Sequence, residues 1–169
     1  MTAKIGGYIV LFLCCVLAQV LIFNYITLFY VAIPVVFIYF IIRVPVNLSL
    51  PLLYTFAFLL GLTVDIFSDT PGVNALACVL IAALKSPIYY IYVGKDDRTQ
   101  FLVPCVATLG LIDYCKYLLT FIAIYCFLEF TIEYFSFANV KDIVILTSAS
   151  TAFTFVILLA IDCLIPVKT

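Results

Sequence analysis

The sequence predicts an all-α membrane protein, a single-domain bundle of six transmembrane helices over residues 1–169. Hydrophobic residues make up 67% of the chain and charged residues 10%, whereas a soluble domain has roughly 45–50% and about 25%. The mean hydropathy is +1.34. The apolar residues form continuous runs, as in transmembrane helices, and do not alternate with polar residues as in a membrane β-barrel.

The composition also argues against several classes of function. The chain has no His, so we expect neither a His-based catalytic triad nor a His-ligated metal site. The net charge is −1 and the sequence has no basic block, so we expect no positively charged surface for binding nucleic acid. The seven Cys residues fall in or beside apolar runs, which is typical of packing residues. We therefore expect no enzyme activity, no catalytic residues, no cofactor and no metal site.

Six apolar runs approach the length of roughly 20 residues that a helix needs to cross a bilayer core of about 30 Å. Turn residues and charges separate the runs. The second run is the shortest and carries Pro34 near its start. The predicted helices cover about residues 6–23, 28–43, 51–67, 73–93, 101–127 and 140–165.

The distribution of basic residues predicts the orientation, because Lys and Arg accumulate in short cytoplasmic loops. An N-terminus on the cytoplasmic side, with six spans, places both termini there and leaves Lys141 as the one outer base. The bases then on the cytoplasmic side are Lys4, Arg43, Lys95, Arg98 and Lys168. The outer side becomes acidic, with Asp69, Glu129, Glu133 and Asp142.

Charged and hydroxyl side chains also occur inside the predicted spans. Asp113 and Lys116 are three residues apart in the fifth span, so each offsets the other's charge; we favour structural pairing over transport chemistry. Lys85, in the fourth span, is expected to extend towards the headgroups. The hydroxyl-rich stretch 147–154 of the sixth span suits close packing within the bundle or against a partner's helix.

The densest motif joins the third and fourth spans. Ala57 and Gly61 form a face of small residues along which another helix can approach closely. Asp65 is one turn further on the same face, and we expect it to accept hydrogen bonds from a helix N-terminus or from a partner's polar group. Asp69 and Thr70 are expected to cap the fourth helix, with Pro71 at its start. A tight helical hairpin explains most of this motif. Asp65 is the residue that the hairpin explains least well.

The stretch 61–75, together with Gln19–Asn24 and Phe37–Phe40, resembles the rod shape-determining MreD family in its Bacteroidetes-type form. The family's Gly-xxx-Asp and Pro-Gly-xx-Ala patterns fall on Gly61, Asp65, Pro71, Gly72 and Ala75. Its size and architecture of five to six spans match the whole chain.

The resemblance implies a non-enzymatic scaffold in the bacterial inner membrane. Such a scaffold belongs to the elongation complex, which builds lateral peptidoglycan and maintains rod shape. The implied partners are the lipid bilayer, an MreC-type bitopic protein and, directly or through it, a penicillin-binding transpeptidase and a RodA-type glycosyltransferase. The family fold is similar to the S-components of energy-coupling-factor transporters, so the alternative is a small-molecule (vitamin) binding subunit. Few polar residues in the spans and the lack of a long outer loop favour the scaffold.

The orientation can be tested by cysteine labelling in a variant without native cysteines. A membrane-impermeant thiol reagent added from outside is expected to modify Phe137→Cys, which lies in the predicted outer loop, and to spare Asp96→Cys in the predicted inner loop. The reverse labelling pattern would contradict the assignment of the cytoplasmic side.

Overall fold

The computed structural model describes residues 2–25, 33–93, 103–134 and 140–164. Within these ranges all regular secondary structure is helical, which confirms the predicted all-α class. Seven α-helices follow one another: α1 (Thr2–Leu21), α2 (Ile38–Arg43), α3 (Leu50–Ser68), α4 (Val73–Tyr92), α5 (Val106–Leu109), α6 (Leu111–Tyr134) and α7 (Val140–Leu164). A 3₁₀ turn, Phe23–Tyr25, follows α1.

The helices have the length and surface of a membrane-embedded bundle. Helices α3, α4, α6 and α7 are long and apolar enough to cross a bilayer. Large apolar side chains cover their outer faces; Ile66 is 69% exposed and Ile91 is 75% exposed. Surfaces of this kind are costly in water and are favourable against lipid. The observed bounds of α1, α3, α4 and α7 agree with the predicted helices to within four residues.

The predicted helix over residues 28–43 is wrong in its described part. Residues 33–36 are not helical, and α2 has only six residues, about 9 Å of helix. Residues 28–32 lie outside the described residues. Pro34 contributes to the break, because proline has no N–H to donate and disfavours helical geometry at Ile33 before it.

Residues 33–36 run as an extended chain parallel to α7, and the chain is buried from Pro34 onward. Ile33 and Val35 bind residues of α7 that are one helical turn apart, so the segment advances by about 3 Å per residue, close to the rise of a β-strand. From residue 35 to residue 42 the side chains are at most 5% exposed. The contacts with α7 are Ile33 N–H to Ser150 Oγ (3.1 Å), Val35 N–H to Thr154 Oγ1 (3.0 Å) and Tyr39 Oη to Asp162 Oδ1 (2.6 Å).

The segment that the sequence predicts as the second span is therefore not a continuous helix in its described part. Ser150 and Asp162, which contact the two ends of this stretch, are separated by about 18 Å along α7. A helix from residue 33 to residue 39 would advance by only about 9 Å. The extended chain together with α2 covers more than half of a bilayer core without a continuous helix.

The predicted fifth helix, residues 101–127, is also corrected. Helix α5 ends at Leu109, Gly110 has a φ of 77°, and α6 then begins. This left-handed conformation is accessible to glycine at little cost, so the chain changes direction there. Helix α6 continues to Tyr134, so residues 128–134, expected in an outer loop, are helical. Residues 101–102 lie outside the described residues.

Helices α3 and α4 form the predicted close hairpin. A Cβ atom added to Gly61 would lie 2.5 Å from Ala75 Cα and 2.6 Å from Ala75 N. Ala57 and Ala75 are buried in the same region. The backbone of α4 therefore occupies the space that a larger residue at position 61 would need, as expected for a helix contact built on small residues.

This contact predicts that substitution by Ala destabilises the protein at one glycine and not at another. Gly61→Ala is expected to lower the free energy of unfolding by about 1–3 kcal/mol, because the added methyl group forces the two helices apart. Gly7→Ala is the matched control: it also lies in a helix, but no atom is within 4 Å of its added Cβ, so no loss is expected. Unfolding in mixed micelles, titrated with a denaturing detergent, measures both variants. Equal losses would contradict the close contact.

Candidate functional site

The carboxylate of Asp65 caps the N-terminus of α4. Its Oδ1 accepts hydrogen bonds from the Asn74 N–H (3.0 Å), the Asn74 side-chain amide (3.0 Å) and the Thr70 hydroxyl (2.8 Å). Its Oδ2 accepts one from the Ala75 N–H (2.8 Å). The negative charge also lies at the positive end of the helix dipole. The expectation that Asp65 binds a helix N-terminus is confirmed.

The expected caps within the turn itself are wrong. The N-cap residue of α4 is Gly72, which makes no side-chain hydrogen bond, and Pro71 precedes it instead of starting the helix. Asp69 has a left-handed backbone with a φ of 58° and ends α3. The physical reason is that Asp65, which reaches over from α3, already satisfies the first amides of α4, and Thr70 donates to Asp65 instead of capping α4.

The Asp65 network extends to a third helix through Asn74. The Asn74 side chain donates to Asp65 and also to Thr70 Oγ1 (3.1 Å). Its Oδ1 accepts a hydrogen bond from the hydroxyl of Tyr125 on α6 (2.8 Å). Buried, fully paired networks of this kind fix one arrangement of helices. Sequence reasoning gave neither Asn74 nor Tyr125 a role; the bond between them joins residues 51 positions apart.

Some motif residues are enclosed between α3 and α4, and others line the surface of the hairpin, where the buried Asp65 also contributes to the lining. Gly61 and Ala75 are enclosed in the contact between α3 and α4. The other four, with two apolar neighbours, line a shallow open depression at the hairpin. Its lining residues are Leu62, Asp65, Ile66, Asp69, Pro71 and Gly72.

Side chains from the two neighbouring helices, α1 and α7, form hydrogen bonds with backbone groups of the extended segment. On one side Ser150 and Thr154 accept from Ile33 and Val35. On the other side the amide of Gln19, on α1, accepts from the Val36 N–H (2.8 Å) and donates to the Pro34 carbonyl (3.0 Å).

This alternation of partners along residues 33–36 is that of a β-strand, with side chains in place of the neighbouring strands. The predicted hydroxyl face of the sixth span, residues 147–154, therefore supplies hydrogen bonds to backbone within the bundle. The irregular backbone is tolerated at this position because these side chains satisfy its polar groups.

A buried ionic cluster fixes the other end of this crossing. Arg43 and Asp162 form an ion pair, and both side chains are less than 8% exposed. The hydroxyls of Tyr39 and Tyr114 donate to the Asp162 carboxylate. The guanidinium also donates to the Tyr39 hydroxyl (2.8 Å) and the Pro104 carbonyl (3.5 Å). Sequence analysis placed Arg43 at the cytoplasmic end of a span and did not find Asp162, since the two are 119 residues apart.

The expectation for Lys85 is wrong. The side chain is 1% exposed and does not extend towards headgroups. Its ammonium group donates hydrogen bonds to the carbonyls of Ile41 (2.6 Å) and Val44. The last carbonyls of a helix have no partner within that helix, and a cation is favoured beside them. Lys85 thus stabilises the C-terminal end of α2.

The Asp113 and Lys116 pair forms, with 3.1 Å between Oδ1 and Nζ. The side chains of Asp113 and Lys116 are 50% and 59% exposed, and Asp113 lies in the first turn of α6. The pair therefore sits at an exposed helix end and contributes little to stability. It is not part of the buried networks, and a structural pairing remains its simplest role.

Comparisons with known proteins identify no relative: no protein-family model, curated protein or solved structure matches the chain. Across the four described ranges, no cluster of three or more His, Cys, Asp or Glu side chains is arranged to hold a metal ion. The function must therefore be argued from the networks above, in which polar side chains hold helices and broken backbone in place.

The buried ion pair predicts a non-additive mutational cycle. Asp162→Leu leaves Arg43 buried without its counterion and is expected to destabilise the protein by about 3–5 kcal/mol. The double variant with Arg43→Leu is expected to recover much of this loss, because both charges are removed. Asp113→Ala, which breaks the exposed pair, is the control and should cost about 0.5 kcal/mol or less. Additive losses in the unfolding free energy would contradict the pairing.

Proposed function

We propose that this protein is a non-catalytic scaffold of the bacterial inner membrane, of the MreD type, within the complex that elongates the lateral cell wall. The observation that carries the proposal is the hairpin of α3 and α4. Gly61 and Ala75 make its close contact, and Asp65 caps its second helix. The residues that carry the sequence resemblance thus build one rigid turn, which suits a fixed docking surface.

The proposed docking surface is the depression at this hairpin and the apolar face beside it. Ile66 and Phe67, at the end of α3, are both more than half exposed, and Asp69 lies in the same turn. We place an MreC-type bitopic protein here, with its membrane helix against the apolar face. The penicillin-binding transpeptidase and the RodA-type glycosyltransferase join directly or through it. Both termini are proposed to face the cytoplasm.

The alternative is a vitamin-binding subunit similar to the S-components of energy-coupling-factor transporters. Small-molecule sites are typically clefts of about 300–1,000 Å³. In the described part of this bundle, large aromatic side chains fill the region between α2, α4 and α6. Those with at most 1% exposure are Phe37, Tyr89, Tyr114, Tyr117, Phe121 and Tyr125. This packing favours the scaffold.

The proposal is tested with variants on the surface of the hairpin. Ile66→Asn is expected to reduce co-purification of the bitopic partner from native membranes and to give rounded cells. Ile91→Asn is the matched control, an equally exposed isoleucine near the C-terminal end of α4, and should retain the partner and rod shape. Asp65→Leu is less informative, because it removes the acceptor of four hydrogen bonds and is expected to lower the amount of folded protein.

Two outcomes would contradict the proposal. One is normal cell shape when the whole chain is deleted, or normal shape with full partner recovery when Ile66→Asn is present at wild-type level. The other is tight, stoichiometric binding of a vitamin to the purified protein, measured by calorimetry or native mass spectrometry, which would favour the alternative.

A further inference from the structure

The depression at the hairpin of α3 and α4 combines apolar walls with two carboxylates. Leu62, Ile66 and Pro71 are apolar lining residues, and Asp65 and Asp69 are the acidic ones. Asp65 is 5% exposed, and its oxygens already accept four hydrogen bonds from the chain. Asp69 is exposed, so it is the carboxylate of this depression that another molecule can reach.

The Asp69 side chain has no partner among the described residues. The two ion pairs found there are Arg43 with Asp162 and Asp113 with Lys116, and no described residue forms a hydrogen bond with the Asp69 carboxylate. The backbone of Asp69 is fixed, because its N–H donates to the Asp65 carbonyl at the end of α3. A negative charge is therefore held at a defined place beside exposed apolar side chains.

This charge restricts the kind of partner that can dock at the hairpin. Ile66 and Phe67 are both more than half exposed, and Asp69 follows them within three residues. A membrane helix packed on the two apolar side chains also covers Asp69 in part. Covering a carboxylate without a counterion is costly. Lys and Arg avoid this cost, because their stems lie along apolar surface while their charged groups reach a polar one.

We infer that the docking partner places a Lys or Arg side chain in this depression, with its charged group on the Asp69 carboxylate. The stem of that side chain lies against Leu62, Ile66 or Pro71. The basic residue belongs beside the partner's membrane helix, at the level where α3 ends. The inference rests on the proposed function, since it assigns the chemistry by which the bitopic partner recognises the same surface.

The first test is co-purification of the bitopic partner from native membranes with the full-length chain. Asp69→Asn is expected to reduce the recovered partner by about threefold to tenfold at low salt, because it removes one charge of an ion pair at an interface. Asn accepts the left-handed backbone found at this position, so the amount of folded protein should not change. Asp113→Asn, at an exposed carboxylate in the first turn of α6, is the control and should retain the partner.

Salt separates the ionic contribution from the apolar one. The screening length falls from about 10 Å at 0.1 M salt to about 3 Å at 1 M. The difference between the wild type and Asp69→Asn is therefore expected to shrink at high salt. The loss caused by Ile66→Asn is expected to persist, since burial of apolar surface is not screened.

The second test is an exchange of charges. Asp69→Lys is expected to lower recovery of the partner by about tenfold or more, because like charges then face each other. The Lys and Arg residues beside the partner's membrane helix are next replaced by Glu, one at a time, in cells that carry Asp69→Lys. One of these replacements is expected to restore recovery, measured relative to the amount of folded chain.

Two results would overturn the inference and leave the proposed docking surface intact. One is a loss of the partner with Ile66→Asn while Asp69→Asn and Asp69→Lys retain it, which would mean that the carboxylate is only solvated. The other is a loss with Asp69→Lys that no Glu replacement in the partner restores. If Ile66→Asn also retains the partner, the proposed function is contradicted and the inference is overturned with it.

Discussion

A polar backbone group inside an apolar bundle needs a hydrogen-bond partner, and an extended chain cannot supply its own. Residues 33–36 are such a chain, and the arrangement of the helices around them follows from this need. Gln19 binds them from α1, and Ser150 and Thr154 bind them from α7. These side chains fix where the two helices stand, so α1 and α7 are held together through the segment between them.

The same need explains the charges at the far end of this crossing. Helix α2 is short, and its final carbonyls are buried, so Lys85 binds them. Arg43, the last residue of α2, is buried as well and requires Asp162 as its counterion. The first amides of α4 likewise have no partner within their own helix, and in the hairpin of α3 and α4 they donate to Asp65. Buried charged side chains in this protein thus lie at helix ends, where Lys85 and Asp65 form hydrogen bonds with backbone groups.

Local signals in the sequence were sufficient for the close contact of the hairpin, and insufficient for its helix caps and for the broken second segment. Gly61 and Asp65 are one turn apart and point to the same neighbour, so their contact could be predicted from spacing. The partners of residues 33–35 on α7 lie 117 and 119 residues away, and no pattern within an apolar run shows them. Lys85 was misassigned for the same reason, since the carbonyls that bind it lie more than 40 residues away at the end of α2. Asp162 was missed as a candidate altogether.

Residues 33–43 are extended before they become helical. Solid-state NMR of the labelled protein in lipid bilayers measures this directly, through the Cα and Cβ chemical shifts of each residue. The structure predicts extended-chain shifts at Val35 and Val36 and helical shifts from Ile38 to Ile42. Helical shifts without interruption from residue 33 to residue 43 would contradict it, and with it the roles assigned to Gln19, Ser150 and Thr154.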